Sequence, residues 1–403
     1  MKKILFNILS LTLMLCATAQ DNVLPTPPHK GTTAITNATV HVGNGQVLNN
    51  ATIVVTDGKI AAVGTSVAVP AGATVVNAQG KQVYPGLILS ASNLGLVEIG
   101  SVRASNDVQE IGDMNPNVRS IVAYNTDSKI INTLRSSGIL MANIVPQGTL
   151  LAGSSSVVQL DAWNWEDAAV KTDAGLHLYM PSLLARPRFG GTAPAADPVK
   201  EGLEKIDALK QFFREAKAYN SGPAGAPTNL KFASVKGLFD KKQKLYVHAN
   251  TVKQMLVALD FVTEFGFDLV IVGGSESWQI PELLKQHNVS VILSQPHALP
   301  TMPDDDVDQP YKTPAILQKA GVLFTINDED GQTRGRNLAY NAGTAAAYGL
   351  TREQALQAIT LNAARILGVA DRTGSIEVGK EANLVIAEGD LLDMRTSNVI
   401  DAF

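Results

Sequence analysis

The chain has 403 residues, of which 45% are apolar and 17% charged, and its formal net charge is −4. Such a composition can fill a large buried core, and it excludes disorder as a description of the whole chain. It also argues against a nucleic-acid partner, because phosphate recognition needs a basic stripe and none is visible.

The first residues read as an export leader. Lys2 and Lys3 give a positive start, Ile4 to Cys16 is a short apolar run, and Ala17-Thr18-Ala19 fits small-residue cleavage. The run is shorter than the about 20 residues a membrane-spanning helix takes. The expectation is a leader over 1–19 and a periplasmic or secreted product with no stable membrane span. A lipid-attachment site would use Cys16, but Leu15 is larger than the small residue such a site prefers. Cys16 is the only cysteine. After cleavage the chain has no disulfide and no thiolate, so chemistry falls to His, carboxylates, hydroxyls or Lys.

Residues 20–32 form a proline-rich linker with Pro25, Pro27 and Pro28. Residues 33–83 read as all-β. Ala51 to Val55 and Lys59 to Val63 flank Asp57-Gly58, a hairpin signal that predicts positive φ at both turn residues. From Tyr84 apolar stretches of strand length alternate with helical segments, the pattern of βα units and a parallel sheet. The strand candidates are Gly86–Ser90, Ile139–Val145, Ser156–Leu160, Lys244–Val247, Asp268–Val272, Val289–Leu293 and Val322–Ile326, seven in all. Glu201 to Tyr219 predicts a helix with Leu203, Ile206, Leu209 and Phe212 or Phe213 on its buried face. Residues 184–240 hold Pro- and Gly-rich loops around that helix and read as an insertion over a barrel mouth. Thr351 to Gln354 has capping-box spacing, and Gly368 can end the helix it opens. After Gly374 the chain returns to β.

Two segments carry a family resemblance: Gln82-Val83-Tyr84-Pro85-Gly86-Leu87-Ile88, and the tail from Ala358 through Asn362-Ala363-Ala364-Arg365 to Gly374-Ser375-Ile376-Glu377-Val378-Gly379-Lys380-Glu381-Ala382-Asn383. In these the chain resembles the amidohydrolase superfamily, particularly its imidazolonepropionase-like branch. The resemblance implies a (β/α)₈ TIM-like barrel over 84–373, with a small β-sandwich formed by the N- and C-terminal segments 33–83 and 374–403. It implies hydrolysis of a carbon–nitrogen bond outside the peptide backbone, and a small-molecule substrate. One or two divalent metals, zinc first among them, would ionise a bound water. A homo-oligomer is also expected from it.

The implied metal ligands are incomplete. The first barrel strand should end in His-x-His, yet Ala91 and Asn93 stand there. A middle strand should supply Lys or Glu, and Gln159 is nearest, with Asp161 close by. The fifth strand ends in Tyr246-Val247-His248-Ala249, which makes His248 the retained ligand candidate. The sixth has Gly273 in place of His. Asp328 matches the catalytic aspartate after the last strand, with Glu329 or Asp330 behind it. The candidate set is therefore Asp328 as proton shuttle, and His248 and Asp328 at a metal, helped by His297, Asp161 or Glu276. Two ligands fall short of the three that a catalytic zinc takes. The rival expectation is a catalytically inactive binding or partner protein on the same fold.

Other groups have plainer readings. The aromatic–acidic cluster Asp161 to Asp167 is either a ligand wall at the barrel mouth or a buried loop anchor. Asp304 to Asp308 is an acidic run without EF-hand spacing and reads as a solvated loop.

Overall fold

The computed structural model describes residues 24–184, 197–222, 227–328 and 333–403. The leader over 1–19 and the reserve carboxylates Glu329 and Asp330 lie outside the described residues.

Two sheets organise the chain. The first is seven-stranded, in the order β15-β14-β5-β1-β2-β3 with β4 beside β1. Its members are β1 (Thr32–His41), β2 (Val47–Thr56), β3 (Lys59–Gly64), β4 (Thr74–Asn77) and β5 (Gln82–Pro85) from one end of the chain, and β14 (Leu384–Glu388) and β15 (Asn398–Ala402) from the other. Asp57 and Gly58 turn the β2–β3 hairpin with φ of 47° and 76°, the left-handed pair a tight antiparallel turn needs. β1 pairs with β4 along Thr33–Thr36 and with β5 at Thr39 and Val40, so it serves both halves of the sheet. Ile35, Val40, Ile53, Ile60, Leu384 and Ile386 bury into one apolar cluster there. β14 lies antiparallel to β5 with Val385 opposite Tyr84, which joins the two ends of the chain.

The second sheet is the barrel wall. Its eight strands run in chain order: β6 (Leu87–Ser92), β7 (Ile139–Ile144), β8 (Leu151–Gln159), β9 (Ala169–Tyr179), β10 (Lys244–Ala249), β11 (Leu269–Gly273), β12 (Ser290–Leu293) and β13 (Phe324–Ile326). Seven correspond to strands expected from the sequence, and β9 is the eighth. β8 runs antiparallel to both β7 and β9. Only six residues separate β7 from β8 and nine separate β8 from β9, too few for the crossover of a dozen or more that parallel neighbours require.

β6 and β13 do not pair by backbone. The Asn327 side chain bridges them instead. Ala91 N donates to Asn327 Oδ1 at 3.1 Å, and Asn327 Nδ2 donates to Ala91 O at 2.7 Å. Ser90 Oγ adds a third bond to the same Oδ1 at 3.3 Å.

The short helix Leu361–Leu367 plugs the N-terminal face of the barrel. Ala363, Ala364, Ile366 and Leu367 pack with the inward residues Ile88, Met141, Tyr246 and Val270. Its last carbonyls receive Lys244 Nζ (to Ile366 O, 2.6 Å), Lys171 Nζ (to Leu367 O, 3.2 Å) and the Tyr246 hydroxyl (to Ile366 O, 3.2 Å). Two ammonium groups thus meet the negative end of the helix dipole. Burial lowers the pKa of both lysines.

The helix Pro198–Asn220 brackets the span expected from the sequence and buries Ile206, Leu209 and Phe213, whereas Leu203 is exposed. Thr351 and Gln354 form the expected capping box, but that helix stops at Ala358 and the second piece, Leu361–Leu367, is the one Gly368 ends. No described helix is long and apolar enough to cross a membrane.

Candidate functional site

The C-terminal ends of parallel strands form the rim where barrels of this kind hold their reacting groups. Alternation along β9 turns Leu176 and Leu178 outward into the helix-facing core and His177 inward. On β10, Leu245 and Val247 face outward while Tyr246 and His248 face in. The pairing of Tyr246 with His177 and of His248 with Tyr179 brings the two imidazoles together. His177 Nδ1 and His248 Nε2 are 3.0 Å apart. One of these nitrogens donates and the other accepts, so the tautomer of one ring fixes that of the other.

Aromatic rings clamp the pair. His177 stacks on Tyr246 at 4.9 Å, and His248 stacks on Tyr179 at 3.9 Å. The Tyr179 hydroxyl donates to Pro146 O at 3.0 Å, which ties this stack to the end of β7. Burial pushes His177 well below its ordinary pKa, and the neighbouring His248 adds to the effect. Burial alone takes His248 down to about 3. Both rings are therefore neutral near pH 7.

Three buried polar atoms in this part of the interior lack a hydrogen-bond partner: His177 Nε2, Ser155 Oγ on β8 and Asn143 Oδ1 on β7. The register relates them. Asn143 lies opposite Val157 and Ser155 opposite Gly175, so Ser155 is a diagonal neighbour of both Asn143 and His177. The Asn143 amide nitrogen is committed to Ser90 O at 3.1 Å, which leaves its oxygen as the unpaired end. Buried polar atoms of this kind call for water or a ligand.

The expected site residues are dispersed. Asp328 follows β13 and is buried, and its Oδ2 accepts from Asn341 Nδ2 at 3.2 Å on the helix Leu338–Ala347. Asp161 follows the reversed strand β8, so it stands at the N-terminal face of the barrel, away from the rim, where it pairs with Arg135 at 3.1 Å. The same reversal removes Gln159 from the middle-strand ligand position and carries the Trp163 cluster away from the barrel mouth; Trp163 is exposed and Trp165 packs on the core. Glu276 is spent as a helix cap: its Oε2 accepts from Val252 N at 2.7 Å at the start of the helix Val252–Phe265. His297 is exposed and its Nε2 bonds Thr344 Oγ1 at 2.8 Å. Ala91 gives only its backbone, to Asn327, and Asn93 Oδ1 is buried without a partner. In the acidic run, Asp306 and Asp308 pair with Lys312, as a solvated loop does.

His177 escaped the sequence reading. Its signal was the alternation Gly175-Leu176-His177-Leu178-Tyr179, which places Gly, His and Tyr on one face.

A catalytic zinc takes three protein ligands and a water. Among the described residues no three His, Cys, Asp or Glu side chains converge. His177 and His248 offer two nitrogens, and these already face each other. The described residues do not fit a three-ligand metal centre.

The nearly closed eight-stranded barrel, with a second sheet drawn from both chain ends, is the architecture that the sequence resemblance implies. The family model for the Amidohydrolase family matches residues 279–402. An amidohydrolase structure from Thermotoga maritima superposes with a TM-score of 0.77 at 26% identity, covering 92% of this chain and 97% of that one. Amidohydrolase tasK of Hapsidospora irregularis is 21% identical over 370 residues, 82% of this chain. An imidazolonepropionase of Thermoplasma volcanium is 29% identical over 174 residues, 42% of this chain. The chain spans 37% and 39% of the lengths of these two relatives. Together these matches support the amidohydrolase superfamily and a hydrolase of the amidohydrolase type.

Proposed function

We propose that the chain hydrolyses a carbon–nitrogen bond outside the peptide backbone of a small molecule, at the rim around His248 and Asp328. One observation carries this reading: the neutral imidazole pair, held in contact and clamped by tyrosines at the ends of β9 and β10. A buried neutral imidazole can polarise a substrate carbonyl by hydrogen bonding without carrying a charge. When His177 Nδ1 donates to His248 Nε2, the His248 proton resides on Nδ1, and it is this N–H that would meet the carbonyl oxygen. Asp328, oriented by Asn341, would take the proton of the attacking water and return it to the leaving nitrogen. A divalent ion would supply a hydroxide near neutral pH, but the described donors fall short of the three side chains that would hold one. We place this reaction outside the cytoplasm, on the strength of the leader-like first residues.

A second reading has its own support. Ala91, Asn93 and Gly273 stand where the resemblance implies ligands, which favours a barrel that binds without hydrolysing. Turnover of N-acyl amino acids, cyclic imides and imidazolones separates the two. Loss of turnover in both His248→Ala and Asp328→Asn supports the hydrolase. Turnover that survives Asp328→Asn removes the proton shuttle. No turnover of any such compound by the intact protein, with or without added zinc or manganese, leaves the binding reading.

A further inference from the structure

The two imidazoles share their inner nitrogens, and their outer nitrogens meet different surroundings. His248, at the rim, is partly exposed, whereas His177 is fully buried. The outer nitrogen of His177, Nε2, belongs with Ser155 Oγ and Asn143 Oδ1 to the unpartnered buried atoms. All three side chains point into the barrel. On β7 and β8 the neighbours Ala142, Ile144 and Val158 face the outer core, while Met141 and Val157 share the inward cluster. Asn143, Ser155 and His177 are fully buried, and no hydrogen bond joins the three atoms directly. Diagonal neighbours on adjacent strands stand about 7–8 Å apart. Inward-reaching side chains at that spacing leave a gap that one water, with two bonds of about 2.8 Å, can bridge. Three polar partners are also the usual number for a buried water.

Counting hydrogens decides how such a water is held. Each neutral ring carries one N–H. The Asn143 amide hydrogens are not on offer, because Nδ2 is committed to Ser90 O. When His177 Nε2 accepts, the water donates one hydrogen to it and the other to Asn143 Oδ1, and the Ser155 hydroxyl donates to the water. Every hydrogen is then used. When His177 Nε2 carries the proton instead, it donates to the water, and Asn143 Oδ1 is the one acceptor outside the water and serine. One hydrogen of the water or of Ser155 is then left without a partner. A stranded buried hydrogen disfavours that arrangement by about tenfold. The favoured arrangement puts the His177 proton on Nδ1, where it donates to His248 Nε2, and so puts the His248 proton on Nδ1.

We propose that Asn143 and Ser155 are positioning residues that hold one buried water against His177 Nε2, and that this water fixes both rings as Nδ1–H tautomers. The proposal deepens the hydrolase reading and rests on it only for the substrate oxygen that the His248 N–H would meet.

The test is nitrogen-15 NMR of the full chain, labelled at histidine, near neutral pH and without substrate. Two-bond couplings between ring nitrogens and ring protons distinguish Nδ1–H from Nε2–H. His177→Gln and His248→Gln assign the two rings among the six histidines. Both rings should be neutral and in the Nδ1–H form. Ser155→Ala alone keeps acceptors for both water hydrogens and should keep that form. Asn143→Leu with Ser155→Ala removes the water's partners, and the preference of about tenfold should fall to near unity, with mixed tautomers in both rings. Circular dichroism checks that the double variant is folded. A role in packing alone would leave the tautomers as they were. An Nε2–H ring or an even mixture in the wild-type chain overturns the proposal, whether or not the double variant folds. So does a folded double variant that keeps both Nδ1–H forms. Nδ1–H tautomers without turnover of any amide remove the reaction and keep the water site. Turnover with an Nε2–H ring does the reverse.

Discussion

Replacing Asn327 by leucine tests how the barrel is closed. The side chain is fully buried and makes three bonds across the gap between β6 and β13. Leucine has nearly the same shape and none of the polar atoms. Ser90 can rotate its hydroxyl toward another acceptor, so its bond is not counted. The Ala91 N–H and C=O cannot move, and Ala91 is itself buried. Stranding two buried backbone groups costs about 1–3 kcal/mol each. The added apolar burial of leucine returns part of this, which leaves a loss of about 2–4 kcal/mol. Equilibrium urea unfolding followed by circular dichroism should report that loss as a lower midpoint at unchanged slope. Hydrogen exchange gives the local reading, because the Ala91 amide should lose its protection first. A loss under about 1 kcal/mol, together with unchanged exchange at Ala91, would show that the seam does not depend on this side chain.

Other expectations follow from particular contacts. His177 and His248 both have pKa values below the ordinary 6.5 in the fold, so the unfolded chain binds more protons as pH falls beneath that value. Their contribution is therefore intact above about pH 6.5 and erodes with acid by about 1.4 kcal/mol per unit for each ring. For His248 the erosion ends near pH 3. His248→Gln should make stability less steep in pH between those limits, and an unchanged slope on acid titration would contradict the assignment. Gly273→Ala should destabilise by about 1–3 kcal/mol through its left-handed backbone alone, and Gly273→His should fail to create a metal site; stoichiometric zinc in the histidine variant would refute this. Glu276→Ala removes the acceptor of Val252 N and should cost about 1–2 kcal/mol in thermal unfolding, a helix-cap effect, and should leave any metal content as it was.

The chain ends were legible because their signals are local. Asp57-Gly58 dictates its own turn, and Thr351 and Gln354 satisfy each other across three residues. The barrel as a class was legible too, from the rhythm of apolar runs and from the Pro85-Gly86 and Asn362-Ala363-Ala364 segments. Strand direction was harder. The short connections around β8 would have given its reversal, but only once β9 had been recognised. β9 itself was hidden because Asp173-Ala174-Gly175 looks like a turn, and Asp173 does adopt a left-handed φ of 49° inside the strand. That omission concealed His177, the partner of the one imidazole the sequence pointed to. The candidate helpers lie apart from the imidazole pair for a different reason. Asp161, Glu276 and His297 stand near strand ends in the sequence, and such proximity says nothing of which face a reversed strand ends on, or of which backbone N–H a carboxylate will cap.

The pairing of β14 with β5 sets an order of events during synthesis. Residues 32–85 can form the hairpin β2–β3 and pair it with β1 as soon as they emerge, but one flank of β5 stays bare until residues 384–388 arrive. Nearly three hundred residues of barrel separate the two. The barrel wall pairs mainly between consecutive strands, so it can assemble progressively while the small sheet waits with an open edge. An open edge is a template for unwanted pairing. In a nascent or truncated chain, the exposed flank of β5 around Val83 and Tyr84 is therefore the place where aggregation would begin.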